Sequence, residues 1–439
     1  MLNTEELDFI AKNAGKDSKS LILKKDKYKN INISLCVNCI EAREKIRNKV
    51  PYWYKYDKIV YPISLSIEQC SSQACALYKQ KIILELFNNT QKDNNESNKA
   101  LNIADLTGGL GIDSFFISLN ANKLYYFERN NVLLKAAKYN FNVLNANNIE
   151  VYEPLDELLS INSLCTESIE QLKTKKIDCI YIDPARRGNN ESKLIKLEDY
   201  EPNVLEIRDS LLKIAKYLII KVSPMADIKL YISLLKNVKA VHIVSVDNDC
   251  KELIFVLSKD LLNEEIQKDE VLIYTQNLSL NKIGTLELNN QSFCFSYKQE
   301  QNANVELTNC ALKYLYEPNK SLLKAAAFKL ISEKYNVKKF DKDTHLYTSD
   351  NLVSFPGKVY EVIKQLDFSK NNIKTIAKEY PLASITARNL PIDTNEFRKI
   401  SKIKEGGEYH IFAFGAIGGK RLILICKRSL LTSLNSLTS

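Results

Sequence analysis

The chain has 439 residues, of which 45% are hydrophobic and 26% are charged, and its 62 basic against 53 acidic side chains give a net charge of +9. This composition excludes a disordered or fibrous chain and allows two or three domains with sizeable cores. The longest apolar runs, such as residues 217–220 and 422–426, are far shorter than the roughly 20 residues that cross a bilayer. The acidic start of the sequence also lacks a signal-peptide pattern. We therefore expect a cytoplasmic protein with no membrane partner.

Residues 1–98 are predicted to form an N-terminal helical region. In it a basic stretch, residues 41–49, leads into an aromatic stretch, residues 51–56. Basic and aromatic side chains interleaved in this way can neutralise phosphates and stack on unpaired bases. The alternative is a solvated helix whose Trp53 packs on the next domain.

Cysteines in this region raise the question of a metal. Cys36 and Cys39 form a lone Cys-x-x-Cys, and Cys70 and Cys75 follow. A structural zinc site needs four ligands in a closed set, and these spacings allow one only loosely. Because the first pair lies in an apolar helical pattern, we predict buried, reduced thiols and no metal.

Residues 66–79 lie one helix before the core strand and contain many small side chains. This position suits a lid over a cofactor site, to which Glu68, Gln69 and Ser72 would contribute polar contacts. The alternative is an amphipathic helix that begins at an ordinary serine cap. Uniformly polar residues at 90–98 then indicate a loop.

A glycine-rich turn joins an apolar strand, residues 100–104, to the apolar face of a helix, residues 115–117. Glycine lets backbone N–H groups and a helix N-terminus approach a nucleotide-like ligand closely. Asp105 in this turn would repel a diphosphate and attract an ammonium group. That difference favours S-adenosylmethionine over a dinucleotide. The predicted cofactor-binding residues of the turn are Asp105, Thr107, Gly108, Gly109, Gly111 and Asp113.

Strands and helices alternate beyond the turn, which predicts a doubly wound parallel sheet. Glu128 ends the second strand, 23 residues after Asp105, where an acid in such folds accepts both ribose hydroxyls. Asp156 follows the third strand and is placed to bind an adenine amino group. Both residues are predicted to hold the cofactor.

The fourth strand, residues 177–182, leads into a charged loop at the edge of the sheet where ligands bind. Asp183, with the carbonyl of Pro184, would orient an acceptor N–H group, and Arg186 and Arg187 would hold an acceptor phosphate or carboxylate. The alternative is a capped turn with arginines that face solvent.

A closing hairpin is predicted from residues 242–246 and 253–257, because two apolar runs are joined by a short connection. It completes seven strands and makes the last strand antiparallel. We place this core at residues 99–258.

These motifs resemble those of class I S-adenosylmethionine-dependent methyltransferases. Residues 105–111, Glu128, Asp156 and the Asp183-Pro184 pair look like motifs I to IV. Residues 68–72, 182–187, 250–253 and 320–327 are more closely similar to segments of a bacterial methyltransferase family that carries a C-terminal THUMP-like domain. The resemblance implies a Rossmann-like fold, S-adenosylmethionine as cofactor, and RNA as partner, since THUMP domains bind RNA and commonly tRNA.

The chain departs from the usual methyltransferase pattern at three positions. Thr107 stands where many of these enzymes have the first glycine, and the loop at Asp183 lacks the aromatic residue that stacks on a flipped base. Ser223-Pro224 follows the fifth strand in place of the nucleophilic cysteine of 5-methyluridine enzymes. N-methylation by in-line transfer is therefore favoured over carbon methylation through a covalent adduct.

The C-terminal part is predicted as a ferredoxin-like or connecting region, residues 259–340, followed by an α+β THUMP-like domain, residues 341–439. Residues 312–335 look helical, with an interruption at Glu317-Pro318-Asn319. The stretch 398–428 has eight basic residues against Glu405 and Glu408, so that its net charge is 8 − 2 = +6, which suits contact with an RNA backbone. The alternative is an evenly solvated basic surface.

The sequence therefore predicts an enzyme that methylates a base in tRNA or rRNA. Two alternatives stay open: a non-catalytic RNA-binding protein with a degenerate methyltransferase core, and a methyltransferase of a non-RNA substrate. A nicotinamide dehydrogenase is disfavoured by Asp105 and by the antiparallel last strand.

Overall fold

A computed structural model describes residues 3–23, 27–28, 30–62, 64–91, 100–152, 170–186, 197, 200–262, 268–281, 284–287 and 291–429. The chain divides into two compact units: the first comprises residues 1–241, 251–268 and 278–287, and the second comprises residues 242–250, 269–277 and 288–439.

The helices of the first unit are α1 Thr4–Asn13, α2 Ser18–Ile22, α3 Ile33–Lys49, α4 Pro51–Tyr54, α5 Ser64–Gln69, α6 Gln73–Gln91, α7 Ile112–Ser118, α8 Asn131–Val143, α9 Val204–Ile214 and α10 Ile228–Leu235. Its strands, including two that continue into the second unit, are β1 Leu101–Asp105, β2 Ala121–Phe127, β3 Ile149–Tyr152, β4 Cys179–Ile182, β5 Ala185–Arg186, β6 Tyr200–Glu201, β7 Tyr217–Val222, β8 Val238–Val246 and β9 Asp249–Ser258.

Seven of these strands follow the order β8-β9-β7-β4-β1-β2-β3. The pairs β1–β2, β2–β3, β1–β4 and β4–β7 are parallel, whereas β9 runs antiparallel to β7. The central strands β4 and β7 are almost wholly buried, as expected for parallel strands covered on both faces. The predicted doubly wound sheet with an antiparallel last strand is confirmed.

The parallel register determines which side chains meet at one edge of this sheet. Asp105 is the last residue of β1, Glu128 follows β2, and Asp183 follows β4. Ile182 pairs with Ile220 of β7, which places Lys221 beside Asp183. The carboxyl ends of four strands thus converge on a single charged edge.

The N-terminal helices pack into the first unit. Trp53 is fully buried and its ring meets Phe115 edge to face at 6.0 Å. The Arg43 guanidinium donates to the carbonyl oxygens of Tyr54 and Tyr56. Trp53 is therefore a packing residue, as the second interpretation of this segment predicts.

Cys36 and Cys39 lie in α3 and are buried. Burial raises the pKa of Cys39 to about 11 and that of Cys36 to about 12, so both are neutral thiols at physiological pH. Among the described residues, no group of three or more His, Cys, Asp or Glu side chains is placed to hold a metal ion. In the same part of the chain, every helix is too short or too polar to cross a membrane.

The second unit contains a seven-stranded sheet in the order β14-β15-β13-β16-β19-β18-β17. Its pairs are antiparallel except β17–β18. Strand β10 Leu272–Leu280 is shared between the two units, and β11 Leu286–Glu287 belongs to the first. The other strands of the second unit are β12 Ser292–Ser296, β13 Tyr314–Pro318, β14 Lys338–Lys339, β15 Tyr347–Ser349, β16 Gly357–Asp367, β17 Ser384–Arg388, β18 Tyr409–Gly415 and β19 Arg421–Arg428. The helices are α11 Tyr297–Asn302, α12 Lys320–Ala325, α13 Phe328–Tyr335, α14 Lys370–Glu379 and α15 Thr394–Ser401.

Alternate residues of β18 separate two cores in this unit. Phe412 and Phe414 pack on one face, and Ile411 and Ala413 pack on the other, where α14 and α15 also bury their apolar side chains. Strands β18 and β19 pair antiparallel and form a hairpin.

The helical prediction for residues 312–335 is wrong at its start. Tyr314–Pro318 is a strand that pairs with both β15 and β16. Pairing on both sides supplies hydrogen bonds from distant residues, which override a local helical pattern. The helices α12 and α13 follow only after Asn319, whose side chain caps α12.

Candidate active site

The glycine turn between β1 and α7 is built around two left-handed residues. Gly109 and Gly111 have φ angles of +57° and +86°, a region that residues with a Cβ rarely adopt. A Cβ on Gly111 would also lie 2.6 Å from the Phe141 ring, and one on Gly108 would lie 2.0 Å from the Tyr126 ring. All three glycines are thus required by backbone conformation or by close packing.

A cavity of about 520 Å³ opens at this edge of the sheet, within the size range of small-molecule sites. The predicted site residues that line it are Gln69, Asp105, Thr107, Gly108, Gly109, Asp113, Glu128 and Asp183. Five acidic side chains line the cavity (Asp105, Asp113, Glu128, Asp183 and Glu201) against the two basic side chains of Arg129 and Lys221. Its walls therefore favour a cationic ligand over a polyanion.

Glu128 connects the end of β2 to the glycine turn. Its two oxygens accept hydrogen bonds from the N–H groups of Gly109, at 2.7 Å, and Asn130, at 2.6 Å. Burial raises the pKa of this carboxyl group above its ordinary value, although both N–H donors oppose the shift.

The buried side chain of Asp105 stabilises the glycine turn by hydrogen bonds. The carboxylate is 1% exposed and accepts hydrogen bonds from the Thr107 N–H at 3.0 Å and the Ser114 hydroxyl at 2.5 Å. Burial raises the pKa of Asp105 to about 7. Both oxygens are engaged inside the protein, and the predicted contact of Asp105 with a ligand ammonium stays a prediction.

The side chain of Thr107, which stands where many methyltransferases have a glycine, makes a structural contact. Its hydroxyl oxygen accepts a hydrogen bond from the backbone N–H of Asp183 at 2.6 Å. A glycine at this position could not make that contact. The threonine therefore ties the glycine turn to the loop that carries the predicted catalytic aspartate.

Asp183 is paired with a lysine that the sequence analysis missed. The Lys221 ammonium donates to Asp183 Oδ2. Burial alone would lower the pKa of Lys221, but Asp183, Glu252 and Asp113 raise it well above its ordinary value. Lys221 is therefore charged at every physiological pH. In the sequence, Lys221 could have been recognised as the single lysine within the apolar run that forms β7.

A second missed lysine, Lys79 of α6, is fully buried behind the cavity. Its ammonium lies 2.9 Å from both Glu252 oxygens and 3.2 Å from Asp113 Oδ1. Asp113 also accepts hydrogen bonds from the hydroxyls of Ser71, at 2.7 Å, and Tyr181, at 2.8 Å. The two carboxylates outweigh desolvation and raise the pKa of Lys79, so the network is ionic.

Glu68, Ser72 and Pro184 are not among the residues that line the cavity. Glu68 is exposed and pairs with Lys45 at 2.5 Å, and the Ser72 hydroxyl accepts from the Cys75 N–H at 3.3 Å, as the capping alternative predicts. Pro184 is buried beside Asp183. Asp156, Arg187 and the side chain of Arg186 lie outside the described residues, and the predicted roles of all these residues stay predictions.

Comparisons with known proteins extend these observations. Two family models match the C-terminal part of the chain, a ferredoxin-like domain at residues 314–356 and a THUMP-like domain at residues 357–428. No curated protein matches the sequence.

A solved structure from Porphyromonas gingivalis W83, provisionally assigned as a methyltransferase, is 28% identical, has a TM-score of 0.82, and aligns over 98% of this chain and 100% of its own. A human methyltransferase 10 domain-containing protein is 16% identical with a TM-score of 0.36, over 50% of this chain and 97% of its own. The likeness to the first protein over nearly the whole chain confirms the predicted fold, with its THUMP-like C-terminal part.

Proposed function

We propose that this chain, an S-adenosylmethionine-dependent methyltransferase with a C-terminal THUMP-like domain, methylates a base nitrogen in tRNA or rRNA by in-line transfer. The observation that supports the proposal best is the hydrogen bond from the Asp183 N–H to the Thr107 hydroxyl, which connects the glycine turn to the loop of Asp183. A cofactor loop and an acceptor loop are held together at one cavity. The THUMP-like match supplies the reason to look for RNA.

The cavity fits the cofactor. A Cβ added to Gly109 would project into open space, its nearest contact being the Thr107 carbonyl oxygen at 3.9 Å, so the bare backbone leaves room for a ligand. The acidic walls suit a molecule with sulfonium and ammonium charges and oppose the pyrophosphate of a dinucleotide. Glu128 would hold the ribose hydroxyls, and Gln69 would contact the ligand from the lid segment.

The bound cofactor supplies a methyl group on a positively charged sulfur. This chain's own task is then to align an acceptor nitrogen, which can contribute several kcal/mol, on the order of 7 or more in favourable cases. The Lys221 bond goes to Oδ2 of Asp183, and no residue that the structure describes donates to Oδ1, which would accept a hydrogen bond from an acceptor N–H group. Lys221 would act as a positioning residue, because its ammonium group holds the Asp183 carboxylate by Oδ2.

The test is transfer of a radiolabelled methyl group from S-adenosylmethionine to bulk tRNA and to rRNA by wild type and by Asp183→Asn. We expect the variant to lose activity by on the order of 10²-fold while its cofactor affinity, measured by calorimetry, stays within a few-fold. The matched control is Asp209→Asn, which changes an exposed aspartate on α9 outside the cavity. Equal loss of affinity and activity would instead assign Asp183 to cofactor binding.

The same assay separates the two open alternatives. Label that enters protein or small molecules but no RNA would indicate a different substrate class. RNA binding without label in any RNA would indicate a non-catalytic binding protein. Mass spectrometry of digested product then identifies the methylated atom, and a methyl group on carbon would contradict N-methylation.

A further inference from the structure

Helix α14 of the second unit carries a row of three lysines, Lys370, Lys374 and Lys378, which we call the lysine face. All three are exposed, whereas Ile373 and Ile376 of the same helix are buried. A spacing of four residues puts successive lysines about 6 Å apart along one flank of a helix. The row therefore presents three ammonium groups in a line.

No carboxylate among the described residues lies within ion-pair distance of the lysine face. The helix does have an acidic residue, Glu379, but this side chain pairs with Lys364 of β16 at 2.9 Å. Like charges four residues apart destabilise a helix, and a cation at its first residue, as at Lys370, opposes the helix dipole. The two like-charge pairs and the cation at the helix N-terminus are thus three unfavourable interactions on one flank of α14. A bound polyanion would relieve all three.

The basic stretch 398–428 is a weaker candidate for the same role. Arg398 pairs with Glu405, and Lys427 pairs with Glu408. Arg421 and Lys427 lie at opposite ends of β19, roughly 20 Å apart at the usual rise of a strand. This stretch is therefore divided and partly neutralised, whereas the lysine face is compact and has no acidic partner in the part of the chain that the structure describes.

We propose that the lysine face binds the phosphate backbone of RNA. This inference rests on the proposed function, and it identifies a surface to which that function assigns no residue. Three phosphates in contact with three lysines would release counterions and make binding steeply dependent on salt.

The test compares the full chain with the triple variant Lys370→Gln, Lys374→Gln, Lys378→Gln in fluorescence-anisotropy titrations of bulk tRNA at several salt concentrations. We expect Kd to rise by about 10-fold or more near physiological salt, and the slope of log K against log salt to fall by about 2 to 3. A matched variant, Lys320→Gln, Lys334→Gln, Lys342→Gln, removes the same charge from scattered exposed sites of the same unit. It should change Kd by less than about 3-fold, because it removes no clustered phosphate contact.

Cofactor affinity should be unchanged in both triple variants, because none of the six lysines lines the cavity. Neither variant should melt at a lower temperature than wild type, because none of the six lysines is buried. Equal RNA affinity of wild type and lysine-face variant, or equal loss in both triple variants, would overturn the proposal while leaving RNA methylation intact. Wild-type protein that neither binds nor methylates RNA would refute the proposed function and this inference together. Binding of the lysine face to vesicles of anionic lipid, but not to tRNA, would also overturn it.

Discussion

Lys79 and Lys374 are the same residue type in opposite settings, one in each unit of the chain. Lys79 is fully buried and contacts two carboxylates, whereas Lys374 is exposed on α14. A buried charge must be matched inside the protein, because removing it from water costs several kcal/mol. An exposed charge is hydrated and stays available to a partner. The first unit thus uses lysine to hold a site together, whereas in our proposal the second presents lysine to RNA.

The largest effect on stability is expected for Lys79→Met, which removes the buried lysine. This change removes the buried ammonium group that contacts both Asp113 and Glu252, so we expect a loss of about 3 to 5 kcal/mol in the free energy of unfolding. Chemical denaturation measures it. The control is Lys81→Met on the same helix, where the exposed pair with Glu85 contributes about 0.5 kcal/mol or less. Similar losses in both variants would contradict the distinction.

Glycine gives a second contrast between the units. Gly111→Ala would place a Cβ against Phe141 in a left-handed backbone, and we expect a loss of about 2 to 4 kcal/mol from overpacking and strain together. Gly418 in the second unit has a φ of +75° but open space around it. Gly418→Ala should therefore cost about 1 kcal/mol, from strain alone. Denaturation curves of both variants check the difference, which would vanish if packing at Gly111 did not matter.

Burial of Asp105 predicts a pH dependence. Its folded pKa of about 7 exceeds the ordinary value of 3.8, so its contribution to stability is fully present below about pH 4 and is lost as pH rises towards 7. Between pH 5 and pH 6.5 wild type should lose about 2 kcal/mol relative to Asp105→Asn.

Denaturation of both proteins at the two pH values measures this difference. Burial lowers the pKa of His345 and of His410 to about 4, which acts in the opposite direction. Since both proteins contain these histidines, their effect cancels in the comparison. A difference that does not change with pH would show that Asp105 is ionised throughout this range.

The smallest effect is expected for an exposed pair. Lys364→Gln removes the partner of Glu379, and both side chains are more than a third exposed. We expect a loss below about 1 kcal/mol at low salt that disappears at 1 M sodium chloride, where charges are screened within about 3 Å. Denaturation at the two salt concentrations tests this, and a loss that persists in 1 M salt would indicate packing rather than charge.

The sequence alone determined the core of the first unit, because its signals are local. Apolar runs of strand length alternate with helical ones, and glycines occupy the turn after β1. Parallel strands bring their carboxyl ends to one edge, so Asp105, Glu128 and Asp183 could be predicted to converge there. No structure was needed for that step.

Only the tertiary structure decided which groups contact one another across that edge. Lys221 and Lys79 lie within apolar segments of the sequence. Lys221 pairs with Asp183, 38 residues away, and Lys79 pairs with Glu252, 173 residues away. Tyr314–Pro318 is a strand because its partners in β15 and β16 lie far along the chain, which no local pattern records. Charge counted along residues 398–428 likewise could not show that β19 separates Arg421 from Lys427. Composition and periodicity report local preference, whereas pairing depends on which distant residues the fold brings within a few ångströms.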